Sequence, residues 1–274
     1  MDCRDQSSAC IYVNSGSPGR RPAPGAGLAL TSAAAMRLPR PLLLAAAAST
    51  VGSGAGDSTI TVYVGNATRQ ALLHVPASLL RGGAAAASAA PLVVNWHGMM
   101  ETPQEQQGLS DLDAVADGHD FIVVYPLGGA RAKVLGHELS GFTHNGGGCC
   151  SSADTDGVRI DDVAFARALV DAVDKIHPIH RARVYSTGFS NGGFMSYRLA
   201  CEASDVFAAV AVVSAVLANR PNLAMGSMQS FDCAPPRPVP VLHVHGNKDE
   251  LVTYTGNPLF GWLPVLSTVR AWAG

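Results

Sequence analysis

The chain has 274 residues, of which 47% are hydrophobic and 15% are charged, and its formal net charge at pH 7 is −2. This length suggests one large domain or two small ones, and the hydrophobic fraction is sufficient to fill a core. A charge balance so close to zero predicts no nucleic-acid partner and no attraction to an acidic membrane surface. Every long apolar run contains polar breaks, so no transmembrane helix is expected.

The N-terminal region is predicted to have two parts. Residues 1–35 are rich in Gly, Pro, Ser and Arg without periodicity, and we expect a disordered extension. Residues 36–56 resemble a secretory signal peptide, with two arginines, a short apolar run and then small residues. A single disordered tail or an organelle transit peptide over 1–56 is the alternative. The secretory interpretation predicts an extracellular protein whose folded domain occupies 57–274.

Four of the six cysteines lie in the predicted domain, at Cys149, Cys150, Cys201 and Cys233. An even number of cysteines in a secreted chain predicts disulfides, and four cysteines allow three connectivities. A bridge between the neighbours Cys149 and Cys150 would be strained, so we expect each of them to pair with Cys201 or Cys233. Zinc is the rival interpretation, but no cysteine or histidine spacing supports a metal site.

The first predicted elements of the domain are two strands, 58–64 and 71–76, which alternate in polarity around a Gly-Asn turn and therefore indicate a β-hairpin. The same turn contains the triplet Asn66-Ala67-Thr68, so Asn66 is a candidate glycosylation site.

The rest of the chain alternates apolar strands with amphipathic helices. Further strands are predicted at 92–96, 121–125, 182–187, 206–214 and 239–246, and helices at 109–117, 161–176, 194–203 and 266–273. This alternation predicts a mostly parallel sheet with helices on both faces. Two irregular stretches, 126–158 and 215–238, are expected to shape a pocket at the carboxyl ends of the strands.

Ser190 lies in the pentapeptide Gly188-Phe189-Ser190-Asn191-Gly192, between a predicted strand and a predicted helix. G-x-S-x-G in that context is typical of a nucleophile elbow, a turn too sharp for side chains at the two glycines. Such a turn holds the serine hydroxyl at a helix N-terminus, where free N–H groups and the helix dipole stabilise developing negative charge. Ser190 is therefore the candidate nucleophile.

Two backbone N–H groups are candidates for an oxyanion hole. One belongs to Asn191, directly after the nucleophile, and the other to Met99, which follows His97-Gly98 at the end of a buried strand. The ring of His97 is expected to be structural. Asp249 follows a later strand and is the candidate acid that orients an imidazole, with Glu250 as the fallback.

The chain resembles the α/β-hydrolase esterases that include polyhydroxybutyrate depolymerases and feruloyl esterases. The resemblance spans roughly 58–270 and is carried by PLVVNWHG (91–98), NGGGCC (145–150), RVYSTGFSNGGFMSYRLACE (183–202) and PVLHVHGNKDELVTY (240–254). It implies an α/β-hydrolase fold and secretion. It also implies Ser190 as nucleophile, Asp249 as acid, and an ester of a hydroxy or aromatic acid as the substrate. No cofactor is implied.

The sequence departs from this family at the catalytic base. In an α/β-hydrolase the triad runs Ser, Asp, His along the chain, yet all nine histidines precede Asp249. The strand expected before that histidine is also missing, so the domain is predicted to be C-terminally incomplete. Three explanations stay open: a truncated copy of a working esterase, an inactive hydrolase-like binding module, or substitution by an earlier histidine, with His144 a better candidate than His245. A serine peptidase of the same fold is the alternative enzyme.

Overall fold

The computed structural model describes residues 10–14, 49–51, 56–81, 89–150, 154–155, 158–227 and 230–273. Most of the predicted extension (1–35) and of the predicted signal peptide (36–56) lies outside these residues. Within the extension, strand β1 (Cys10–Asn14) pairs antiparallel with an edge strand of the main sheet, and the disorder predicted for the extension stays a prediction. The exposed N–H and C=O groups of a sheet edge favour such pairing. Strand β2 (Ser49–Val51) pairs with the opposite edge.

The predicted hairpin is present. Strands β3 (Gly56–Val64) and β4 (Ala67–Val75) are paired along their whole length around the turn at Gly65 and Asn66. Asn66 is exposed at this turn, and its glycosylation stays a prediction. A short helix, α1 (Ala77–Leu80), follows β4.

The segment between the next two strands differs from the prediction. Strands β5 (Ala90–Trp96) and β6 (Ile122–Pro126) lie where expected, but two helices, α2 (Pro103–Ser110) and α3 (Leu112–His119), replace the single predicted one. The break falls at Asp111, whose φ of 50° is left-handed and cannot continue a right-handed helix.

Helix α2 begins with a capping box. The Thr102 hydroxyl accepts from the Glu105 N–H, while the Glu105 carboxylate accepts from the Thr102 N–H, and Pro103 fills the first helical position. Thr102→Ala is expected to cost about 1 kcal/mol of unfolding free energy, measured by urea denaturation. The exposed helical Gln104 provides the matched control, since Gln104→Ala should be neutral within about 0.5 kcal/mol. Equal losses in both variants would contradict the role of the cap.

The stretch 126–158, predicted to be irregular, contains further strands. A hairpin forms from β7 (Ala130–Val134) and β8 (His137–Thr143), and a small ladder from β9 (Asp154–Thr155) and β10 (Val158–Arg159).

The remaining elements follow the predicted order. They are α4 (Asp162–Ile176), β11 (Ile179–Phe189), α5 (Asn191–Glu202), β12 (Ala209–Val213), β13 (Val241–His245) and α6 (Val265–Ala273). Helix α4 starts at Asp161, whose side chain accepts from the Ala164 N–H, as the sequence predicts for a capping aspartate.

The main sheet has the order β1-β13-β12-β11-β5-β6-β4-β3-β2. Its five central strands, from β13 to β6, are parallel, and the outer pairs are antiparallel. Helices α4 and α5 share one apolar core with one face of the sheet. Helix α3 packs against β4 and β6 in a separate cluster, on the other face of the sheet. This is the mostly parallel α/β-hydrolase sheet predicted from the sequence. The edge of β13, where a further strand was expected, is occupied by β1.

On β11, β12 and β13 the residues alternate between buried and half-exposed. The side chains facing α5 are buried, whereas those on the opposite face, including Phe189 and Val213, are half-exposed, and Leu242 is exposed.

None of the described helices has the length and the apolar character needed to span a bilayer.

The disulfide pairing differs from the prediction. Cys149 is bonded to its neighbour Cys150, and Cys201 to Cys233. The expected pairing of Cys149 or Cys150 with Cys201 or Cys233 is therefore wrong. The Cα atoms of Cys201, near the end of α5, and Cys233 are only 4.7 Å apart. This separation is typical of disulfides, so neither residue is available to Cys149 or Cys150.

Candidate active site

Ser190 occupies a sharp turn between β11 and α5. Its φ of 52° and ψ of −117° are unusual for a residue with a side chain. The turn is fixed by backbone bonds: the Ser190 N–H donates to Val213 O at 2.9 Å, and the Ser190 carbonyl accepts from Gly193 and Phe194 at 2.8 and 3.1 Å. The side chain of Ser190 is half-exposed, so the hydroxyl is held at the surface of a rigid scaffold.

The glycines around Ser190 are required by close backbone contacts. A Cβ atom on Gly188 would lie 2.5 Å from the Gly192 carbonyl carbon, and one on Gly192 would lie 2.0 Å from the Trp96 carbonyl oxygen. Both distances are far below van der Waals contact. The two glycines therefore let the start of α5 approach both β11 and the carboxyl end of β5.

Asn191 contributes more than its backbone. As the first residue of α5 it has no intrahelical acceptor for its N–H. Its buried side chain accepts from Thr143 Oγ1 and from the His144 N–H, and it donates to the His144 carbonyl, all within 2.9 Å. This amide therefore fastens the loop after β8 to the start of α5. The sequence analysis considered only the backbone of Asn191, and nothing in a single sequence signals these long-range bonds.

The loop that carries Met99 is fixed on both sides. The Gly98 N–H donates to Glu101 Oε2 at 2.8 Å, and the Met100 N–H donates to Phe142 O at 2.9 Å, with a left-handed φ of 69° at Met100. Within the described part of the chain the Met99 N–H donates to no acceptor. Because β5 neighbours β11 and Gly192 contacts Trp96, this loop lies on the same edge of the sheet as Ser190.

His97 is built into the core beneath that loop. Its Nε2 accepts from the Gly128 N–H at 2.9 Å, so its Nδ1 carries the proton and donates to Gly98 O at 2.7 Å. Burial lowers the pKa of His97 and favours the neutral ring. These two bonds give the His97 ring the structural position that the sequence led us to expect.

His144, the earlier histidine judged the better substitute base, is fully buried. Its ring is enclosed by Trp96, with centroids 5.0 Å apart, and by His97 at 4.3 Å. Neither ring nitrogen has a hydrogen-bond partner in the described part of the chain. Burial, with contributions from His97 and Arg69, holds the pKa of His144 well below its usual value. The structure therefore places this imidazole inside the core.

Asp249 lies in the turn after β13, with its side chain 17% exposed. Its Oδ1 accepts from the Leu251 and Val252 N–H groups at 3.0 and 2.9 Å, and its Oδ2 lies 3.6 Å from His245 Nε2. The buried His245 is bound to Val252 O at 2.6 Å. Glu250, the fallback acid, belongs to the same turn and is exposed.

Ser190 and Asp249 follow β11 and β13, which are parallel and separated by β12. Two strand spacings place the strand ends about 10 Å apart, on one edge of the sheet. All nine histidines belong to the described residues, and none donates to or accepts from the Ser190 hydroxyl. The structure thus brings the candidate nucleophile and acid to one edge without an imidazole bonded to the serine.

An apolar cleft of about 420 Å³ opens beside the elbow. Its walls include Leu109, Leu112, Phe189 and Val213, and its polar lining includes Asn95 and Gln106. A second cleft of about 430 Å³ is formed by the loops after β12 and β13, with Phe260 and Trp262 among its lining residues.

Comparisons with known proteins identify the family of this chain. The family described as esterase PHB depolymerase matches residues 75–261. Feruloyl esterase B from Piromyces equi is 31% identical over 61% of the chain and 28% of its own length. Poly(3-hydroxyalkanoate) depolymerase C from Paucimonas lemoignei is 31% identical over 61% of the chain and 35% of its own length.

A bifunctional acetylxylan esterase/xylanase from Neocallimastix patriciarum is 30% identical over 60% of the chain and 20% of its own length. The chain thus spans about a fifth to a third of the length of these relatives. A solved ferulic acid esterase structure covers 61% of this chain and 60% of its own, with 19% identity and a TM-score of 0.43. Since the family match covers more than half of the chain, the protein belongs to the esterase family of the PHB depolymerases.

Proposed function

We propose that the protein is a carboxylic ester hydrolase that uses Ser190 as its nucleophile. The observation that carries this proposal is the strained elbow, which presents the Ser190 hydroxyl beside backbone N–H groups that have no acceptor. Family membership supports the same reaction class.

In the proposed reaction, Ser190 Oγ attacks the ester carbonyl carbon and its proton passes to a general base. The carbonyl oxygen becomes an oxyanion, which accepts hydrogen bonds from the N–H groups of Met99 and Asn191. Collapse of this intermediate breaks the bond to the alcohol, which leaves with that proton. Water then hydrolyses the acyl-enzyme and releases the acid. The role of Asp249 is to orient an imidazole base and stabilise its charged form.

The base decides how fast this chain turns over. No imidazole is bonded to Ser190 among the described residues, and a serine without its base loses most of the triad's contribution. A residual rate of about 10³–10⁴-fold over the reaction in water persists from an oxyanion hole and binding alone. We therefore expect the described residues alone to give only slow turnover and slow labelling of Ser190.

The substrate class proposed is an ester of an apolar hydroxy acid or an aromatic acid. The cleft that includes Phe189 of the elbow has apolar walls at Leu109, Leu112 and Val213, and this favours an apolar acyl group. Relatives named feruloyl esterase and poly(3-hydroxyalkanoate) depolymerase act on esters of these two kinds.

An extracellular location belongs to the same proposal. The two disulfides of the described residues support it, because disulfides persist in oxidising compartments.

A fluorophosphonate probe tests the nucleophile directly, because it forms a covalent bond with an activated serine. We expect mass spectrometry of the labelled chain to locate the adduct on Ser190 and Ser190→Ala to abolish labelling. Ser267, exposed on α6, provides the matched control, and Ser267→Ala should label as the wild type does. Hydrolysis of p-nitrophenyl butyrate and methyl ferulate by the same variants then measures turnover. An adduct at another serine would overturn the assignment.

A hydrolase-like binding module is the second candidate function. The observation that favours it is that no histidine in the described part of the chain is bonded to the Ser190 side chain. It predicts that the folded chain does not react with the fluorophosphonate, whereas the esterase proposal requires the adduct.

A further inference from the structure

A group of acidic side chains surrounds one histidine far along the sheet from Ser190. His74 on β4 lies directly across the hairpin from Asp57 on β3, and its Nδ1 is 2.9 Å from Asp57 Oδ1. Asp113 and Asp117 lie one turn apart on α3. Asp113 Oδ2 is 3.5 Å from the same Nδ1, and Asp117 Oδ1 is 3.2 Å from Nε2.

Both ring nitrogens of His74 therefore face carboxylate oxygens. A neutral imidazole has one N–H, so one of these contacts would set a nitrogen lone pair against a negative oxygen. An imidazolium donates from both nitrogens and satisfies both contacts. The side chain of His74 is only 10% exposed, whereas Asp57 and Asp117 are 44% and 55% exposed, so water reaches the carboxylates but hardly the ring.

We propose that His74 is a proton-operated clamp, which, when charged, fastens helix α3 to the β3–β4 hairpin through Asp57, Asp113 and Asp117. This device goes beyond the proposed esterase function, since it acts through the stability of the fold. The clamp joins two elements that are remote in sequence, so its strength controls how firmly α3 is held.

The other groups around the clamp hold the carboxylates in place. Gln107 on α2 donates to Asp57 Oδ2 and to Asp113 Oδ2, at 2.7 and 2.6 Å, and the Tyr125 hydroxyl on β6 donates to Asp113 Oδ1 at 2.6 Å. No described lysine or arginine forms an ion pair with these three carboxylates. Three negative charges therefore face His74 without a competing cation.

The direction of the pH effect follows from the pKa of His74. Burial lowers this pKa, but the hydrogen bonds and charges of Asp57, Asp113 and Asp117 outweigh burial and raise it above its usual value of 6.5. A group whose pKa is raised in the folded state stabilises that state fully below its unfolded pKa. The stabilisation is lost as the pH rises through the folded pKa. The clamp is therefore strongest below the unfolded pKa of His74 and is released as the pH rises above its folded pKa.

The clamp bears on the candidate active site through α2. Gln107 ties α2 to the same carboxylates, and α2 begins at Pro103, directly after the loop that carries Met99. Protonation of His74 consequently stabilises the positions of α2 and α3, and with them the loop that carries Met99.

Thermal unfolding of the full chain at pH 5.5 and pH 8.5, for the wild type and His74→Gln, tests the proposal. We expect the variant to lose about 2–4 °C in Tm at pH 5.5 and less than half of that at pH 8.5. His180→Gln, at an exposed histidine on β11 and away from any helix end, is the control and should show no such pH-dependent difference. The ring signals of His74, assigned by their loss in His74→Gln, should titrate above pH 6.5 in NMR spectra.

A second variant keeps the test decisive if His74→Gln folds poorly. Asp117 is 55% exposed, so Asp117→Asn should fold and should lower the midpoint of the His74 titration. The clamp is overturned if the Tm difference is the same at both pH values, or if Asp117→Asn leaves the His74 titration unchanged. A pH effect that disappears with EDTA would assign the group to a metal ion and would also overturn it.

Discussion

Replacing Gly192 by alanine is expected to abolish fluorophosphonate labelling of Ser190 and to lower the unfolding free energy by about 3 kcal/mol or more. The added methyl carbon would lie 2.0 Å from the Trp96 carbonyl oxygen and 2.8 Å from Trp96 Cβ. The obstacle is backbone at the end of a central strand, which cannot rotate away as a flexible side chain does. Either α5 or β5 must move by more than 1 Å, because ordinary van der Waals contact begins at 3.4 Å.

Such a shift would reach the nucleophile directly. Ser190 immediately precedes α5, and its positive-φ backbone conformation is held by bonds from Gly193 and Phe194. Movement of α5 would release this conformation and displace both the hydroxyl and the Asn191 N–H. Chemical denaturation and probe labelling of the purified variant measure the two losses separately.

Gly108 offers the matched control within another helix. It lies inside α2, and a Cβ atom there would have no neighbour within 4 Å. Gly108→Ala should therefore keep full labelling and gain about 0.5–1 kcal/mol, because alanine is the better helix former. If Gly192→Ala labels as well as Gly108→Ala, the close approach of α5 to β5 does not define the elbow.

The elements that the sequence predicted well are those with a strong local pattern. Strands β5 and β6 are apolar runs bounded by turn residues, and α4 has a continuous apolar face behind a capping aspartate. In such segments the local preference and the tertiary burial agree, so one sequence suffices to place them.

Helix α2 was not predicted, because its sequence signal is a capping motif at the N-terminus and not an apolar face along the helix. Its residues PQEQQGLS are mostly polar, so no hydrophobic periodicity marks it. The available signal was Thr102-Pro103 followed by Glu105, which is a capping box with proline at the first position. The capping box therefore predicts this helix, whereas apolar periodicity does not.

The disulfide pairing and the position of His144 depend on contacts that no local pattern encodes. The proximity of Cys201 to Cys233 is a tertiary distance. His144 was expected on a pocket loop, but its backbone is drawn inward by the Asn191 side chain, and the next residue, Asn145, donates its N–H to buried Asp162. Long-range bonds of this kind become visible only when the fold is known.

The second large effect is expected from Arg69→Met, which should cost about 3–5 kcal/mol of unfolding free energy. Arg69 on β4 donates through Nη2 to Asp162 Oδ1 at 2.6 Å, and the two side chains are 6% and 0% exposed. The same nitrogen donates to Leu127 O at 3.1 Å, and the guanidinium stacks on the Phe165 ring at 4.1 Å. Removing the arginine leaves the Asp162 carboxylate charged and buried without its counter-ion.

An exposed ion pair provides the matched control. Arg181 is bonded to Asp171 and Asp174, but its side chain is 51% exposed, so water screens the pair. Arg181→Met should therefore change stability by no more than about 1 kcal/mol in the same urea titration. A loss for Arg69→Met no larger than that of Arg181→Met would show that the buried pair does not stabilise the fold.

The double variant Arg69→Met/Asp162→Asn measures how much of the stability loss comes from the unpaired charge of Asp162. Because asparagine leaves no buried charge, the double variant should recover part of the stability lost in Arg69→Met. Recovery should stay incomplete, because Asp162 Oδ2 also accepts from the Asn145 N–H at 2.6 Å. This bond holds the loop after β8, which the Asn191 side chain also binds through the His144 N–H. We therefore expect Arg69→Met to weaken fluorophosphonate labelling of Ser190 as well, whereas Arg181→Met should leave labelling unchanged. A single buried ion pair between β4 and α4 thus supports both the packing of the sheet and the loop beside the candidate nucleophile.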